Sequence, residues 1–213
     1  MSNNPLLIAM TGASGARYGL RLIEVLLIGG QSVDLLISDP ARVVLKQECD
    51  LSLVGEGDSV VEGVMGYFNR GGSPFFASQK KTNLRHFGLK DWMAPMASGS
   101  GGRRDMVICP CSMGTLARIR HGLSESLIER AADVMIKEGG RFVVVPRETP
   151  LSPIHLENML ALANLGVTIL PASPGFYSGS QTVDGLVDFV VARILNRLGI
   201  AHSLLAGWPK NAK

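Results

Sequence analysis

Short runs of consecutive apolar residues recur along the chain. Each is followed by a segment whose apolar positions fall three and four apart, the signatures of buried parallel strands and of the helices that cover them. Residues 5–10 (PLLIAM) form the first run, the turn TGASGA follows, and 17–28 carries helical spacing through Tyr18, Leu22, Val25 and Leu26. Residues 32–38 (SVDLLIS) predict a second strand, and 40–49 a helix with Pro40 in its first turn. The run MVIC at 106–109 predicts a further strand, with a helix beginning near Thr115. The segment 124–140 is the best-marked helix, because Ser126 and Glu129 have capping-box spacing and Gly139 and Gly140 supply a stop. RFVVVP at 141–146 predicts a strand, Ser152 and Pro153 a cap and first turn for a helix over 153–164, and VTILP at 167–171 another strand. The last helix, 183–198, has Leu186, Val190, Ile194 and Leu198 on one stripe; Asp184 and Asp188 come early, and Arg193 and Arg197 late, as the helix dipole favours.

This alternation predicts a doubly wound α/β architecture with a parallel sheet covered on both faces. No long-period repeat or compositional break marks a linker, so residues 1–213 read as one domain. Within it, 55–86 is glycine-rich without a clean period and predicts an irregular insertion with room for one short helix; a C-terminal tail begins at about 200.

Composition narrows the function classes. Of the 213 residues, 46% are hydrophobic and 18% charged, which supports a filled core and excludes a disordered chain. The net charge of +3 is spread along the chain and argues against nucleic acid as the main partner. No apolar run approaches the ~18 residues of a membrane span, and MSNNPLLIAMTGASG carries neither a basic leader nor a cleavage signature, so a cytoplasmic protein is expected. Cys109 and Cys111 lie two apart in a predicted strand and share a face, while His86, His121, His155 and His202 show no matching ligand spacing. Buried reduced thiols, and no metal, are expected.

The candidate chemistry gathers at strand ends. TGASGA at 11–16 sits where the first strand hands over to the first helix, the place where α/β sheets bind phosphate-bearing cofactors. Gly12 and Gly15 permit close approach of a ligand, and Thr11 and Ser14 add hydroxyls beside the N–H groups at the helix start. The turn lacks the G-x-G-x-x-G fingerprint and the lysine of a P-loop, so a turn that binds nothing is the competing reading. Ser112, Gly114 and Thr115 in PCSMGT form a second hydroxyl cluster after a strand, Ser38 ends the second strand, and Arg147 and Glu148 follow FVVVP. Four strand ends are thus predicted to meet on one rim, which favours a flavin or nucleotide site. Arg130 and Lys137 are seven apart on one helix face, ordinarily a solvated basic face. Arg193 borders an apolar stripe, and Trp92, Tyr177 and Trp208 are aromatics near loops, most simply core fillers. His155, with no visible acid partner, reads as packed or surface-exposed.

Taken together, TGASGA (11–16), QECD around Glu48, DWMAPMASGSG (91–101), ICPCSMGT (108–115), ERAADVMIKE (129–138), VVPRETPLSPIHLENM (144–159) and LPASPGFY (170–177) resemble the flavin prenyltransferase family, the UbiX/Pad1-type proteins, over nearly the whole chain. The resemblance implies a flavodoxin-like fold, a Rossmann-like parallel sheet in three α/β/α layers, assembled as a homo-oligomer, a dodecamer, with sites near subunit interfaces. It implies that reduced FMN receives a dimethylallyl group from dimethylallyl monophosphate at N5 and C6, without a metal, and that the prenylated FMN serves a UbiD-type decarboxylase. By motif, Gly12, Ala13, Ser14, Ser38, Ser112, Met113, Gly114, Thr115 and Arg147 match positions that hold FMN. Lys137, Tyr177 and Arg193 match positions that hold the prenyl phosphate, and Arg130 a further active-site position. Glu48 and Ser14 match the pair beside flavin N5, Glu148 the acid near the phosphate, and Trp208 an aromatic wall. A monophosphate leaves poorly unless fixed cations and donors meet its growing charge, which suits Lys137, Arg193 and the Tyr177 hydroxyl. Two other readings share the flavin cradle: a decarboxylase of cysteine-type carboxylates, which does not need that phosphate set, and a flavin carrier, which leaves Glu48 and Glu148 unexplained.

Overall fold

A computed structural model describes residues 4–71, 83–102, 104–176 and 182–205. Strands β1 (Leu6–Met10), β2 (Val33–Ile37), β4 (Met106–Cys111) and β5 (Phe142–Pro146) are buried at every position, which requires a sheet covered on both faces. The short strands β3 (Leu84–His86) and β6 (Thr168–Ile169) form its edges. All pairings are parallel, in the order β3-β2-β1-β4-β5-β6. With the three-residue β3 this is the Rossmann order; the other five strands alone have the flavodoxin-like order.

Because strand side chains alternate, the sheet feeds two separate cores. Leu6, Ile8 and Met10 pack with α1 (Ala16–Ile28), α2 (Asp39–Cys49), α3 (Asp58–Arg70) and α7 (Val183–Leu198). Leu7 and Ala9 pack with α4 (Met113–Arg120), α5 (Leu127–Lys137) and α6 (Pro153–Asn164). The three α/β/α layers agree with the expected class. Among the described residues, no helix is long and apolar enough to cross a membrane.

Local chemistry places most element ends as expected. The N–H and hydroxyl of Ser126 both donate to Glu129, closing the start of α5, and the Thr182 hydroxyl accepts from Gly185 at the start of α7. Helix α4 begins at Met113, ahead of the expected Thr115, because the Ser112 hydroxyl caps it by accepting from the Thr115 N–H. Of VTILP only Thr168 and Ile169 pair, as the outermost strand.

The clearest departure is at 55–86. Helix α3 occupies thirteen residues of it, with Val60, Val61, Val64 and Phe68 buried. Gly63 and Gly66 interrupt the apolar count and hid the period, so the stretch is not irregular throughout. Strand β3 closes it, and residues 72–82 lie outside the described residues.

One polar residue interrupts the strand interior. Asp34 is fully buried in β2 and accepts two bonds from Arg85 of β3 and one from the buried Arg104. A buried carboxylate is tolerated only when paired in this way, and the pairing ties the edge strand to the sheet.

Gly19 carries the packing of α1 on β4: an added methyl would collide with the Cys109 carbonyl oxygen and the Met10 side chain. Gly66, in the exposed face of α3, has open space. Gly19→Ala is therefore expected to lower unfolding free energy by about 2–3 kcal/mol through overpacking, and Gly66→Ala to raise it by about 1 kcal/mol through helix propensity. Urea unfolding of the two variants checks the opposite signs.

Candidate functional site

Strands β1 and β4 are neighbours whose chains leave the sheet in opposite directions, to α1 on one face and α4 on the other. The crevice opened at their C-terminal ends is where such sheets bind ligands. Thr11 sits at its base, 1% exposed. Its N–H and its hydroxyl both donate to the Pro110 carbonyl at 3.1 Å, and its hydroxyl accepts from the Ser112 N–H at 2.7 Å. The sequence suggested a Thr11 hydroxyl beside the helix start; instead it lies between the strands and braces the crevice floor.

Above it, the turn 11–16 is held by Glu48 at the end of α2. The Glu48 carboxylate accepts from the N–H groups of Gly15 and Ala16, each at 2.9 Å, and from the Ser14 hydroxyl. Gly15 has φ +109°, a conformation side chains resist, and a methyl at Gly12 would run into the Pro40 ring. The N–H groups at the start of α1 were expected to face a phosphate. They are taken by Glu48, a carboxylate already seated at the positive end of the helix.

The expected meeting of strand ends is present. The Ser38 N–H donates to the Met10 carbonyl while its hydroxyl caps α2 by accepting from Ala41. The Arg147 Nε donates to the Ser14 carbonyl at 3.3 Å, and the Arg147 N–H to that of Cys111 at 3.4 Å. Ala13 is buried under the turn, and Ser112, Met113, Gly114 and Thr115 form the cap and first turn of α4. Glu148 is exposed next to Arg147, its carboxylate accepting from the Thr149 N–H. Hydroxyls, one guanidinium and glycines that admit close approach therefore line one rim, a donor set that fits a flavin with a phosphate tail.

The cations are elsewhere. Helix α5 starts at the C-terminal side of the sheet, where the Leu127 N–H donates to the Leu89 carbonyl, just past β3. It ends at the other edge, where Gly140 packs on the Arg104 carbonyl just ahead of β4. Lys137, in its last turn, pairs with Glu138 and lies at the sheet edge opposite Ser14. Arg130 donates to the Ala97 carbonyl and to Asp133. Arg193 is exposed along a cleft of about 510 Å³ beside β6. That strand is three places from β1, roughly 14 Å across the sheet. Within one chain, Lys137 and Arg193 do not lie at the glycine turn. Tyr177 and Trp208 lie outside the described residues.

Sequence reasoning passed over the turn Ser98–Gly101 as part of a site. Gly99 lies against the Glu138 carboxylate, which an added methyl would displace, and Ser98 accepts from the Ser100 N–H. The ASGSG run, next to Arg130 and Lys137 in space, was the available signal. A larger cleft of about 660 Å³ lies between α1, α3 and α7, and its walls include none of the rim residues.

The thiols follow expectation: Cys109 and Cys111 are buried, and burial pushes both thiols up, that of Cys111 to about 12. His155 serves α6 as a capping residue, its Nδ1 accepting from the Ser152 N–H. Trp92 is exposed, with Lys90 over its ring, rather than filling a core.

Comparisons agree with this geometry. The flavoprotein family matches residues 1–195. The flavin prenyltransferase UbiX of Pseudomonas aeruginosa is 50% identical over 201 residues, covering 94% of this chain and 92% of the relative. The crystal structure of AnUbiX (PadA1) in complex with FMN and dimethylallyl pyrophosphate superposes with a TM-score of 0.80 at 34% identity, covering 96% of this chain and 97% of that one. The dodecameric FMN-dependent UbiX-like decarboxylase from Escherichia coli O157:H7 has a TM-score of 0.80 at 37% identity, covering 96% and 99%. With its fold, its hydroxyl-lined crevice and near-full-length identity all concordant, this chain belongs to the flavoprotein family, among the UbiX-type flavin prenyltransferases.

Proposed function

We propose that the protein transfers a dimethylallyl group from dimethylallyl monophosphate to N5 and C6 of reduced FMN and delivers the prenylated FMN to a UbiD-type decarboxylase. The observation that carries this reading is the pair of turns at the β1/β4 crevice, held by Glu48 and Arg147 and lined by Ser14, Ser38 and Ser112. Reduced FMN, when bound, supplies the nucleophilic nitrogen and carbon. The turns 11–16 and 112–115 hold it between them. Because Glu48 takes the N–H groups at the start of α1 and the Ser14 hydroxyl, and the Ser112 hydroxyl donates to Thr115, the hydroxyls of Ser38 and Thr115 and the Arg147 guanidinium are the groups left to receive its phosphate.

The leaving phosphate needs cations in a site sheltered from water. Arg130 and Lys137 lie two turns apart on one face of α5, about 10 Å along the axis, and Arg193 stands free of that helix; in one chain Lys137 and Arg193 are remote from the rim. The proposal therefore places the reaction between copies, with Lys137, Tyr177 and Arg193 of neighbouring subunits facing a cradle, in a dodecamer like that of the Escherichia coli relative. Arg130 orients the Ala97–Gly101 turn through the Ala97 carbonyl. Glu148, exposed on the rim beside Arg147, is assigned the protonation of the departing phosphate oxygen or the uptake of the proton lost from C6. Trp208 is assigned the electron-rich wall beside the allyl group. Unpaired thiols, two of them in the core, suit a reducing cytoplasm.

Anaerobic incubation with reduced FMN and dimethylallyl monophosphate is expected to raise the flavin mass by one isoprene unit; an unchanged flavin on folded protein refutes the reading. The diphosphate, run in parallel, tests the choice of donor. Lys137→Ala and Arg147→Ala are each expected to be inactive alone, and oligomers co-assembled from equal amounts to recover activity in about one quarter of sites, as random mixing across a shared interface requires. A site built within one chain would recover none.

Glu48 sets an acid limit on the cradle. Burial raises its pKa, but bonds from Ser14, Gly15 and Ala16, with Arg147 nearby, outweigh burial and hold it below the ordinary carboxylate range. Its stabilising contribution is complete above the unfolded value of about 4.3 and is lost as pH falls through the lower folded value. Glu48→Gln is expected to cost about 1 kcal/mol at neutral pH, given the partial exposure, and to flatten the stability profile on the acid side. Thermal unfolding of both proteins from neutral pH downward checks this.

A further inference from the structure

We propose that Thr11 is a positioning residue for flavin binding, whose hydroxyl sets the separation of the turns 11–16 and 112–115 and so the width of the cradle. The inference rests on the placement of FMN between those turns given above.

The parallel ladder between β1 and β4 runs through Leu7, Ala9 and their partners Met106 and Ile108. Beyond it the two chains must part, because α1 and α4 lie on opposite faces of the sheet. Pro110 also has no N–H with which to continue the ladder. Past the ladder one main-chain bond remains, from the Thr11 N–H to the Pro110 carbonyl, and the Thr11 side chain reinforces it. The N–H and hydroxyl of Thr11 converge on the Pro110 carbonyl, and the same hydroxyl accepts from Ser112. One oxygen is thus used as donor and as acceptor at once, in a place where water does not compete.

The Ser112 bond transmits this to the ligand-facing groups. Ser112 caps α4 through the Thr115 N–H and donates to the Thr115 hydroxyl at 3.1 Å, so its position sets the first turn of that helix. Arg147 also links the two turns, its more exposed side chain donating to the Ser14 carbonyl at 3.3 Å and its backbone N–H to the Cys111 carbonyl at 3.4 Å, both longer bonds. The short, buried link is the one at Thr11. Because the Thr11 side chain is buried between the strands, it acts on a bound flavin only through Ser112. Valine keeps the branched shape and loses the hydroxyl; serine keeps the hydroxyl and loses the methyl.

The test measures FMN dissociation constant, the KM for dimethylallyl monophosphate at saturating FMN, the circular dichroism of bound flavin and thermal stability in four variants of the full chain. Thr11→Val is expected to weaken FMN binding about tenfold and to change the flavin dichroism, with the prenyl phosphate KM unchanged. Thr11→Ser is expected to stay within about twofold of the unmodified protein. Leu162→Ala, in the core under α6, is expected to lose stability without losing FMN affinity, which separates positioning from general destabilisation. Ser112→Ala is expected to weaken FMN binding directly. Should Thr11→Val fail to fold, Thr11→Cys supplies a weaker hydrogen-bonding group of similar size, with an intermediate loss expected. If Ser112→Ala weakens FMN binding and the Thr11 variants do not, the role of Thr11 is overturned while the site stands. If neither position affects FMN binding, the placement of the flavin itself is wrong.

Discussion

Two adjacent strands that must send their chains to opposite sides of one sheet cannot stay hydrogen-bonded to their ends, and the remaining features of this site follow from that divergence. At the tips of β1 and β4 it opens a crevice whose walls are two strand-to-helix turns. An open crevice of bare backbone would leave buried polar groups unpaired, at a cost of about 1–3 kcal/mol each. Side chains close the gap instead: the Thr11 hydroxyl between the strands, Glu48 on the start of α1, Ser112 on the start of α4, and Arg147 across the top. The cradle is therefore braced by the protein's own side chains, because each loop is tied to an element of the sheet or of its helical cover.

Seating Glu48 on α1 has a chemical consequence. The start of a helix attracts anions, and the first turn of an α/β sheet is a common place for a phosphate. Here a side chain of the protein already fills that role and keeps the carboxylate ionised, so anion capacity shifts to hydroxyls and to Arg147. A fixed negative charge beside the turn also suits the proposed reaction, in which an allyl group becomes cation-like and cations from a neighbouring copy would draw off the phosphate. The separation of Lys137 from Ser14 by the depth of the sheet fits this division: within a single chain, the same helix geometry that orders the strands keeps the two charge types apart.

Much of the architecture was legible in the chain before folding. The buried runs at 6–10, 33–37, 106–109 and 142–146, the capping pair Ser126–Glu129, Ser152 as a cap and the length of α7 depend on neighbours a few residues away, and local spacing records such neighbours well; the His155 half of the second capping box was not read from spacing. Helix α3 was foreseen only as room for one short helix, because two glycines diluted its apolar stripe, although Val60, Val61, Val64 and Phe68 stand at helical spacing once the glycines are set aside. The brevity of β6 follows from its place at the sheet edge, which strand order decides and residue type does not.

By itself the sequence determined that strands would alternate with helices, and that hydroxyl and glycine residues would stand at several strand ends, because both depend on residue type and short-range period. Only tertiary structure decided which of those ends would touch, that the Thr11 hydroxyl would turn inward, that Glu48 would claim the start of α1, and that Lys137 would lie at the far edge from the turn. The reason is physical: hydrogen bonds among residues 33, 101 and 133 positions apart are set by strand order and chain direction, and neither quantity has a periodic trace in the sequence.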